Sequence, residues 1–300
     1  MNIAAVGCGT VGASWIALFY TAGHDVSVFD PAIEDVTDLR SRIAPHLPAL
    51  RSLGFDGYGQ LHLASSVERA CDGVDLVQES ATEDIEAKIA LFRSLDLAVP
   101  SDTIIASSTS SLLLSDMVRE CRNPERCILA HPFNPPHLIP LVELFGTNKA
   151  IIARAVEIYG ALGKSPVALN REIQGHIAGR LSSALFQEAV HLVAEGVASA
   201  KDVDTALRDG PALRWSLTGA FLAYHLGGGK GGIQSYLQHL GASQERRWKD
   251  LGHPSLTEKT RNLIADEVEA AYGEKTIDEL ESLRDQALVE SLITRSKRKA

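Results

Sequence analysis

Apolar residues in the first half of the chain form short β-branched runs, which alternate with longer segments where apolar residues recur at helical spacing. In the segment from Asp84 to Leu97, for example, Ile85, Ile89 and Phe92 fall on one stripe. The short runs predict strands at Asn2–Val6, Val26–Phe29, Val74–Gln78, Thr103–Ala106, Cys127–Ala130, Leu141–Phe145 and Pro166–Leu169. Strands and helices in alternation predict an α/β fold built on a doubly wound, mostly parallel sheet.

The strand pattern ends near residue 173, and the rest of the chain shows helical spacing alone. The first helix candidate carries Ile177, Leu181 and Leu185, followed by Leu192 and Val193. Further candidates are Asp202–Leu207, Trp215–Leu226, Ser255–Tyr272 and Ile277–Leu292, with a glycine-rich break at Gly227–Gly232. We therefore predict two domains, a sheet domain over residues 1–173 and an all-helical domain over residues 174–300. No low-complexity linker separates them, which favours close packing.

Length, composition and charge narrow the class of protein. The chain has 300 residues, of which 45% are hydrophobic and 22% charged, as in folded globular proteins. No uninterrupted apolar run approaches the ~20 residues of a membrane helix, and the first strand begins without a basic leader, so we expect a cytoplasmic location. The net charge of −9 argues against a nucleic-acid partner, because phosphate binding needs clustered Lys and Arg. The basic cluster from Arg295 to Lys299 is interpreted as a solvated helix end or tail.

The cysteines form no CxxC pair and lie among apolar or helical segments. We interpret them as reduced, buried thiols, and we predict neither a disulfide framework nor a metal site. They are Cys8, Cys71, Cys121 and Cys127.

A glycine-rich motif, GCGTVG, follows the first predicted strand and opens a helix that runs through Trp15 to Tyr20. In such a motif Gly7 permits a tight turn, Gly9 lets the backbone approach a pyrophosphate, and Gly12 allows the helix to pack closely on the strand. Phosphates then bind at the helix N-terminus, where free N–H groups favour negative charge. The motif predicts a dinucleotide site, with a flavin-binding or merely structural turn as the alternative.

The second strand, VSVFD, ends in Asp30. An acid at this position accepts hydrogen bonds from the adenosine ribose hydroxyls and repels a 2′-phosphate, which favours NAD over NADP. We assign four further residues to the same cofactor site: Thr10, Val11, Glu83 and Lys88.

The stretch AHPFNPPHLIPLVE places a histidine and a glutamate at the two ends of a proline-rich loop. Prolines interrupt any helix, so His131 and Glu143 belong to separate extended segments and can face one another. A carboxylate beside an imidazole holds one tautomer and stabilises the protonated form, as a general base requires. The alternative is a loop histidine without a catalytic role.

Ser110 lies near another strand end of the same half, in TIIASSTSS. In open α/β sheets the carboxyl edge of the strands is where ligands bind, so Ser110, His131 and Glu143 are expected to converge beside a nicotinamide. His131 would take a hydroxyl proton while the nicotinamide takes the hydride, Glu143 would stabilise the imidazolium, and Ser110 would hydrogen-bond the reacting oxygen.

The ordered set of motifs resembles the 3-hydroxyacyl-CoA dehydrogenase superfamily over nearly the whole chain. The set comprises GxGxxG, the acid that ends the second strand, SxTSS, His-x-x-Asn-Pro and the glutamate twelve residues after that histidine. The resemblance implies an N-terminal Rossmann domain, a helical C-terminal domain that dimerises, and oxidation of an L-3-hydroxy group by a His–Glu pair. By position, the family's serine, histidine and glutamate fall on Ser110, His131 and Glu143, and its loop asparagine on Asn134.

Within the superfamily, VQES, SSTSS, HPFNPPHLIPLVEL and DGPALRWSLTG resemble the carnitine 3-dehydrogenases and the related gulonate 3-dehydrogenases, which include lambda-crystallin. The acyl-CoA enzymes carry a lysine-rich hairpin after the second strand, whereas residues 31–67 here are shorter and contain no lysine. One departure concerns the family's active-site asparagine, which is replaced by Gly179. That glycine puts in doubt a direct substrate contact from this position.

The substrate choice depends on aromatic and basic residues. A quaternary ammonium group binds over aromatic faces, so Phe133 and Trp215 are candidates for part of a cage, although aromatic residues at helical spacing are more often core. Arg180 and Arg214 are candidates for the substrate carboxylate, or else surface partners of neighbouring acids. A sugar acid such as gulonate would prefer hydroxyl partners, so Trp215 favours carnitine.

We therefore expect an NAD-dependent dehydrogenase of a short L-3-hydroxy acid, with L-carnitine as the first choice and a homodimer as the assembly. L-Gulonate and an L-3-hydroxyacyl-CoA are the alternative substrates. A non-catalytic NAD-binding protein is the alternative from another class, and the presence of Ser110, His131 and Glu143 argues against it.

Overall fold

A computed structural model describes residues 1–297. One eight-stranded sheet has the order β3-β2-β1-β4-β5-β6-β7-β8, and every neighbouring pair is parallel except β6 and β7. The strands are β1 (Asn2–Val6), β2 (Asp25–Phe29), β3 (Leu61–Leu63), β4 (Leu76–Glu79), β5 (Ile104–Ser107), β6 (Cys127–Pro132), β7 (Leu141–Phe145) and β8 (Ser165–Ala168). The predicted α/β fold with a doubly wound, mostly parallel sheet is confirmed.

Helices connect the strands and then continue alone to the end of the described chain. They are α1 (Thr10–Thr21), α2 (Val36–Ile43), α3 (Leu47–Ser52), α4 (Val67–Ala70), α5 (Ile85–Ala98), α6 (Leu114–Met117), α7 (Lys149–Ala161), α8 (Ala178–Ala194), α9 (Ala200–Leu207), α10 (Leu213–Gly227), α11 (Gly232–Asp250), α12 (Glu258–Tyr272) and α13 (Ile277–Lys297). Within residues 1–297, no helix is both long enough and apolar enough to cross a membrane.

The sheet is buried on both faces because its strands alternate side chains between two apolar clusters. In β1, Ile3 and Ala5 belong to one cluster, and Ala4 and Val6 belong to the other. The first cluster includes much of α1, with Trp15 stacked on Phe19 at 5.3 Å between ring centroids. Burial on both faces leaves the strand ends as the places where the sheet meets ligands.

The chain forms two compact units. The first comprises residues 1–180 and 281–297 and contains the sheet; the second comprises residues 181–280 and is helical. In the helical unit, Tyr272 on α12 donates a hydrogen bond to Asp204 on α9 at 2.6 Å. The domain boundary predicted at residue 173 stays a prediction.

The strands of the structure agree with the sequence-based expectations more closely than the helices do. The predicted strands lie within a few residues of their positions in the structure, but β3 and several helices, among them α2, α3, α7 and α11, were not expected. Three cysteines are buried, whereas Cys121 is only half-buried, so the expectation of burial is wrong for that residue. The basic cluster from Arg295 to Lys299 lies partly outside the described residues.

Candidate functional site

The glycine motif forms the turn between β1 and α1, and its glycines meet different surroundings. Gly7 has φ +96°, and a Cβ there would lie 2.5 Å from the Ser80 carbonyl oxygen. A Cβ at Gly12 would overlap the Gly7 carbonyl group. A Cβ at Gly9 would meet no atom within 4 Å, so the backbone is open on that side. This open backbone at the start of α1 fits a pyrophosphate, which binds at a helix N-terminus.

Asp30 is held at the end of β2, beside the glycine turn. Its carboxylate accepts hydrogen bonds from the backbone N–H of Cys8 at 2.6 Å and of Ala32 at 2.8 Å. A carboxylate oriented in this way fits the ribose hydroxyls of a dinucleotide and disfavours a 2′-phosphate. The chain thus has a turn for the phosphates and an acid for the ribose at adjacent strand ends.

A cleft of about 370 Å³ opens at the carboxyl edge of the sheet. Five of its lining residues are among those predicted to bind the cofactor or to take part in catalysis: Val11, Glu83, Lys88, Ser110 and His131. The predicted substrate residues Phe133 and Asn134 also line it. The strands β1, β4, β5 and β6 therefore bring residues that are distant in sequence to one edge, as open α/β sheets do at their ligand sites.

His131 and Glu143 lie directly opposite one another on the antiparallel strands β6 and β7. Opposite residues in such a pair project to the same face of the sheet. The His131 Nδ1 atom is 2.9 Å from the Glu143 Oε2 atom, and both side chains are buried. Within residues 1–297, the other ring nitrogen of His131, Nε2, forms no hydrogen bond to protein. It is free to accept a proton.

The second oxygen of Glu143 binds the start of α8. Its Oε1 atom accepts hydrogen bonds from the backbone N–H of Ile177 at 2.7 Å and of Ala178 at 3.0 Å. Burial raises the pKa of Glu143, but the hydrogen bonds from His131, Ala178 and Ile177 outweigh burial and lower the pKa below its usual value. The carboxylate is therefore ionised at neutral pH and holds a proton on the Nδ1 atom of His131.

Ser110 follows β5 in a turn that is organised by Glu83. The Glu83 Oε1 atom accepts hydrogen bonds from the Thr109 hydroxyl at 2.5 Å, from the Ser110 N–H at 3.0 Å and from the Ser111 N–H at 3.2 Å. Burial raises the pKa of Glu83, and these hydrogen bonds together with the Lys88 charge lower it further than burial raises it. The Ser110 hydroxyl is exposed at the cleft and lies 3.4 Å from Glu83.

Lys88 is almost fully enclosed, with 1% of the residue exposed. Its ammonium donates to the Glu79 carboxylate at 2.6 Å and to the Ala81 carbonyl at 3.2 Å, and it lies 3.6 Å from Glu83. A buried ammonium needs partners of this kind. The structure thus ties Lys88 to the ends of β4 and β5 through carboxylates, beneath the cleft.

The predicted substrate residues are distributed over both units. In the first unit, the Phe133 ring is half-buried with its centroid 6.5 Å from that of His131, Asn134 and Arg180 are exposed, and Asn134 lies at the cleft. In the second unit, Arg214 is exposed, and Trp215 is half-buried with a buried indole N–H that has no hydrogen-bond partner within residues 1–297. The roles predicted for these residues stay predictions.

Sequence reasoning missed two residues of this edge. Glu79, at the end of β4, accepts hydrogen bonds from Ala81 and Ser107 as well as from Lys88. His176 is buried, with its ring 5.0 Å from that of His131. Glu79 directly follows the predicted strand Val74–Gln78, so an acid at a strand end could have indicated it. His176 directly precedes a predicted helix, and its position alone did not indicate a role.

The chain is similar to known dehydrogenases over nearly its whole length. Residues 2–173 match the NAD binding domain of 3-hydroxyacyl-CoA dehydrogenase, and residues 175–262 match its C-terminal domain. The L-carnitine dehydrogenase of a Pseudomonas species is 40% identical over 96% of this chain and 92% of its own length. The L-carnitine dehydrogenase of Streptomyces griseus subsp. griseus is also 40% identical, over 97% of this chain and 89% of its own length.

A solved structure is similar over almost the whole chain as well. It is that of 5-formyl-3-hydroxy-2-methylpyridine 4-carboxylic acid 5-dehydrogenase, an NAD⁺-dependent dismutase, with a TM-score of 0.81 and 26% identity over 97% of this chain and 96% of that one. The expected Rossmann-type sheet and the expected cofactor, NAD, are confirmed. The chain is an NAD-dependent oxidoreductase acting on a 3-hydroxy acid, and it belongs to the 3-hydroxyacyl-CoA dehydrogenase family.

Proposed function

We propose that this protein oxidises L-carnitine to 3-dehydrocarnitine with NAD as the hydride acceptor. The observation that carries the chemistry is the buried His131–Glu143 pair, whose histidine lines a cleft beside the glycine turn. The choice of substrate is supported by relatives named L-carnitine dehydrogenase, which are 40% identical over nearly the whole chain.

In this proposal His131 is the general base. Glu143 keeps a proton on Nδ1, so Nε2 carries the lone pair and accepts the proton of the substrate hydroxyl. The hydrogen on the same carbon leaves as hydride, which NAD accepts when bound. The carbon–oxygen bond becomes a carbonyl, and the imidazolium that results is stabilised by the ionised Glu143.

Ser110 is proposed to hydrogen-bond the reacting oxygen. Its hydroxyl lies at the same cleft as His131, and its backbone is held by Glu83. We propose that Gly7, Gly9, Thr10, Val11 and Gly12 hold the phosphates, and that Asp30 holds the ribose. Glu83 and Lys88 are proposed to line the cofactor side of the cleft. Glu83 binds the turn that carries Ser110 and Ser111, and Lys88 binds Glu79 at the end of β4.

For the quaternary ammonium of carnitine, we propose contact with aromatic faces. Phe133 is half-buried at the cleft, and each favourable cation–π contact contributes about 0.5–2 kcal/mol. Trp215 is proposed as a second aromatic partner. Arg180 and Arg214 are exposed guanidinium groups, and Asn134 is an exposed amide, so all three are proposed as partners for the carboxylate of the substrate.

The family name makes a 3-hydroxyacyl-CoA the second candidate substrate. The absence of lysine from residues 31–67 argues against it, because CoA phosphates need cationic partners. L-Gulonate is the third candidate. Its hydroxyls would need polar partners, and the Phe133 ring that lines the cleft offers none.

We also propose that the protein is a homodimer formed through its helical unit. That unit exposes large apolar side chains, among them Phe221, which is 88% exposed, and Leu181, which is 68% exposed. Exposed apolar surface of this kind marks interfaces between proteins. Sedimentation equilibrium tests the proposal: a single species with the mass of one chain would contradict it.

A substrate panel tests the activity directly. Wild-type protein and the His131→Ala variant are incubated with NAD and with L-carnitine, D-carnitine, L-gulonate or L-3-hydroxybutyryl-CoA, and NADH is followed by its absorbance. We expect the highest kcat/KM for L-carnitine and loss of turnover in the variant. A higher kcat/KM for the CoA thioester or for gulonate would replace carnitine as the substrate, and wild-type turnover in the variant would remove His131 from the mechanism.

A further inference from the structure

We infer that His176 is a positioning residue that holds His131, Glu143 and the Ser110 turn in one arrangement. The inference rests on the proposed function, because it assigns His176 a role through those residues. His176 is 2% exposed and lies two residues before the first residue of α8. Its backbone, its ring nitrogen and the face of its ring each bear on a different member of the proposed catalytic set.

The backbone of His176 turns the start of α8 toward Glu143. Gly175 has φ +74° and His176 has φ +51°, so two consecutive residues adopt the left-handed conformation. The N–H groups of the next two residues, Ile177 and Ala178, then both donate to Glu143 Oε1. Positive φ is uncommon outside glycine but is several-fold enriched in His, Asn and Asp, so a histidine can occupy this position at modest cost.

The ring of His176 also binds the Ser110 turn. Its Nε2 atom is 3.2 Å from the backbone carbonyl oxygen of Thr109, the residue that precedes Ser110. Because a carbonyl oxygen can only accept, Nε2 must carry the proton, and Nδ1 is left with a lone pair. That Nδ1 atom is buried and has no hydrogen-bond partner within residues 1–297.

The face of the ring packs against the general base. The centroids of the His131 and His176 rings are 5.0 Å apart, with 50° between the ring planes. Burial lowers the pKa of His176, and a charge on His131 lowers it further, so His176 stays neutral when His131 takes a proton. Only the His131 ring binds the Glu143 carboxylate, so the two imidazoles do not compete for it, and the His176 ring limits the tilt of the His131 ring.

A purely structural role does not explain this combination. A buried nitrogen without a partner destabilises the fold, and a left-handed non-glycine residue adds to that cost. Costs of this kind persist at functional sites, where the surrounding structure holds a residue in place for its chemistry. A glycine, like Gly175 beside it, would adopt the left-handed conformation at position 176 with less strain. The histidine is therefore explained by what its ring contacts, which are Thr109 and His131.

Two substitutions separate the backbone from the ring. His176→Gly keeps the left-handed conformation and removes the ring, and His176→Asn keeps the conformation together with a shorter donor for the Thr109 carbonyl. For His176→Gly we expect kcat to fall about 10- to 100-fold, with KM for NAD within about twofold and a larger solvent deuterium isotope effect on kcat, because proton transfer becomes slower when the base is misplaced. His176→Asn should recover part of the loss. Wild-type kcat in a folded His176→Gly variant would overturn the inference.

A second measurement separates this inference from the proposed function. In ¹⁵N-histidine-labelled protein, the proton between His131 Nδ1 and Glu143 should give a downfield NMR resonance that broadens or shifts in His176→Gly. Persistence of that resonance unchanged would overturn the positioning role. If wild-type protein shows the resonance but oxidises no member of the substrate panel, the proposed function fails, and the NMR comparison still decides the role of His176.

Discussion

His131 lies on β6, and His137 lies on the proline-rich connection from β6 to β7. Both rings are buried, but their polar neighbours differ. His131 has a carboxylate on one ring nitrogen and the open cleft beside the other. His137 has its Nδ1 atom 2.8 Å from the Ser14 hydroxyl, and its ring centroid is 4.5 Å from that of His46. Only His131 has both a carboxylate partner and access to the cleft, which is the arrangement that the proposed general base requires.

Burial and nearby charges explain why His137 stays unprotonated. Burial is the largest cause and, together with the positive groups of His46, Lys164 and Arg284, it lowers the pKa of His137 to about 3. The carboxylate of Asp285 lies 3.8 Å from the His137 Nε2 atom. That separation is too long for a hydrogen bond, and a ring with a pKa of about 3 is neutral at pH 7, so the contact is not an ion pair.

Lys164 forms hydrogen bonds to the backbone of the same loop. Its ammonium donates to the carbonyl of Ile139 at 3.2 Å and also to the carbonyl of Pro136. It lies 5.6 Å from the centre of the Trp15 ring, and burial lowers its pKa to about 7. Residues 132–140 are therefore held by buried polar contacts, while His131 at their start keeps one nitrogen free.

The same substitution at the two histidines gives the largest contrast. We expect His131→Asn to lower kcat about 10²- to 10⁴-fold, the range that a general base contributes, while the protein remains folded. His137→Asn should lower kcat less than about tenfold, because the new amide would face Ser14 rather than the cleft. Steady-state NADH formation measures both, and equal losses would contradict the distinction between them.

Removing the charge of Glu143 should reduce catalysis by His131 while the histidine itself is kept. We expect Glu143→Gln to lower kcat about 10²- to 10³-fold, since the imidazolium loses its carboxylate. Because the pKa of Glu143 is lowered in the folded protein, its ionised form adds stability above the usual carboxyl pKa, and this stability is lost as the pH falls through the lowered value. Urea titrations at pH 7 and pH 4 should therefore show a smaller difference for the variant than for the wild type. Glu143→Asp is the control that keeps the charge.

Lowering the pH should reduce the free energy of unfolding, because His137 is buried in its neutral form. Its pKa is 6.5 when unperturbed and about 3 in the folded protein, so the unfolded chain binds more protons across that window. Stability should fall as the pH is lowered from about 6.5 toward 3, with a contribution of at most about 1.4 kcal/mol per pH unit. His137→Gln should flatten this part of the profile, and a wild-type slope in the variant would assign the effect to other groups.

The smallest effect concerns the helix that binds Glu143. A Cβ at Gly179 would meet no atom within 4 Å, and Gly179 lies in the first turn of α8. Gly179→Ala should stabilise the protein by about 0.5–1 kcal/mol, because alanine loses less backbone entropy in a helix. Thermal unfolding measures the gain. A lower Tm would show that the space beside position 179 is not open in solution.

Patterns local in sequence predicted much of this molecule. The strand runs, the glycine turn, Asp30 and the facing positions of His131 and Glu143 were all available from residue type and spacing. Strand β3 was missed because Leu61–Leu63 is too short to show alternation. Helix α11 was missed because it begins inside the glycine-rich segment that indicated a break.

The remaining features depend on contacts between distant segments. Nothing near position 176 indicates that its backbone is left-handed or that its ring meets β6, because both follow from how α8 begins against the sheet. The burial of Lys88 against Glu79 likewise depends on α5 packing over the end of β4. Spacing along one element contains no information about such tertiary contacts. The sequence therefore suggested Lys88 as a cofactor ligand and left His176 and Glu79 unnoticed.

The antiparallel pairing of β6 with β7 has an evolutionary consequence. His131 and Glu143 are brought together by the ladder of backbone hydrogen bonds and not by the loop between them. Exchanges at Phe133 and Asn134, the two loop positions beside the cleft that are not buried, can therefore be tried by mutation without separating Glu143 from His131. A lineage can change these residues of the cleft while it inherits the His131–Glu143 pair unchanged.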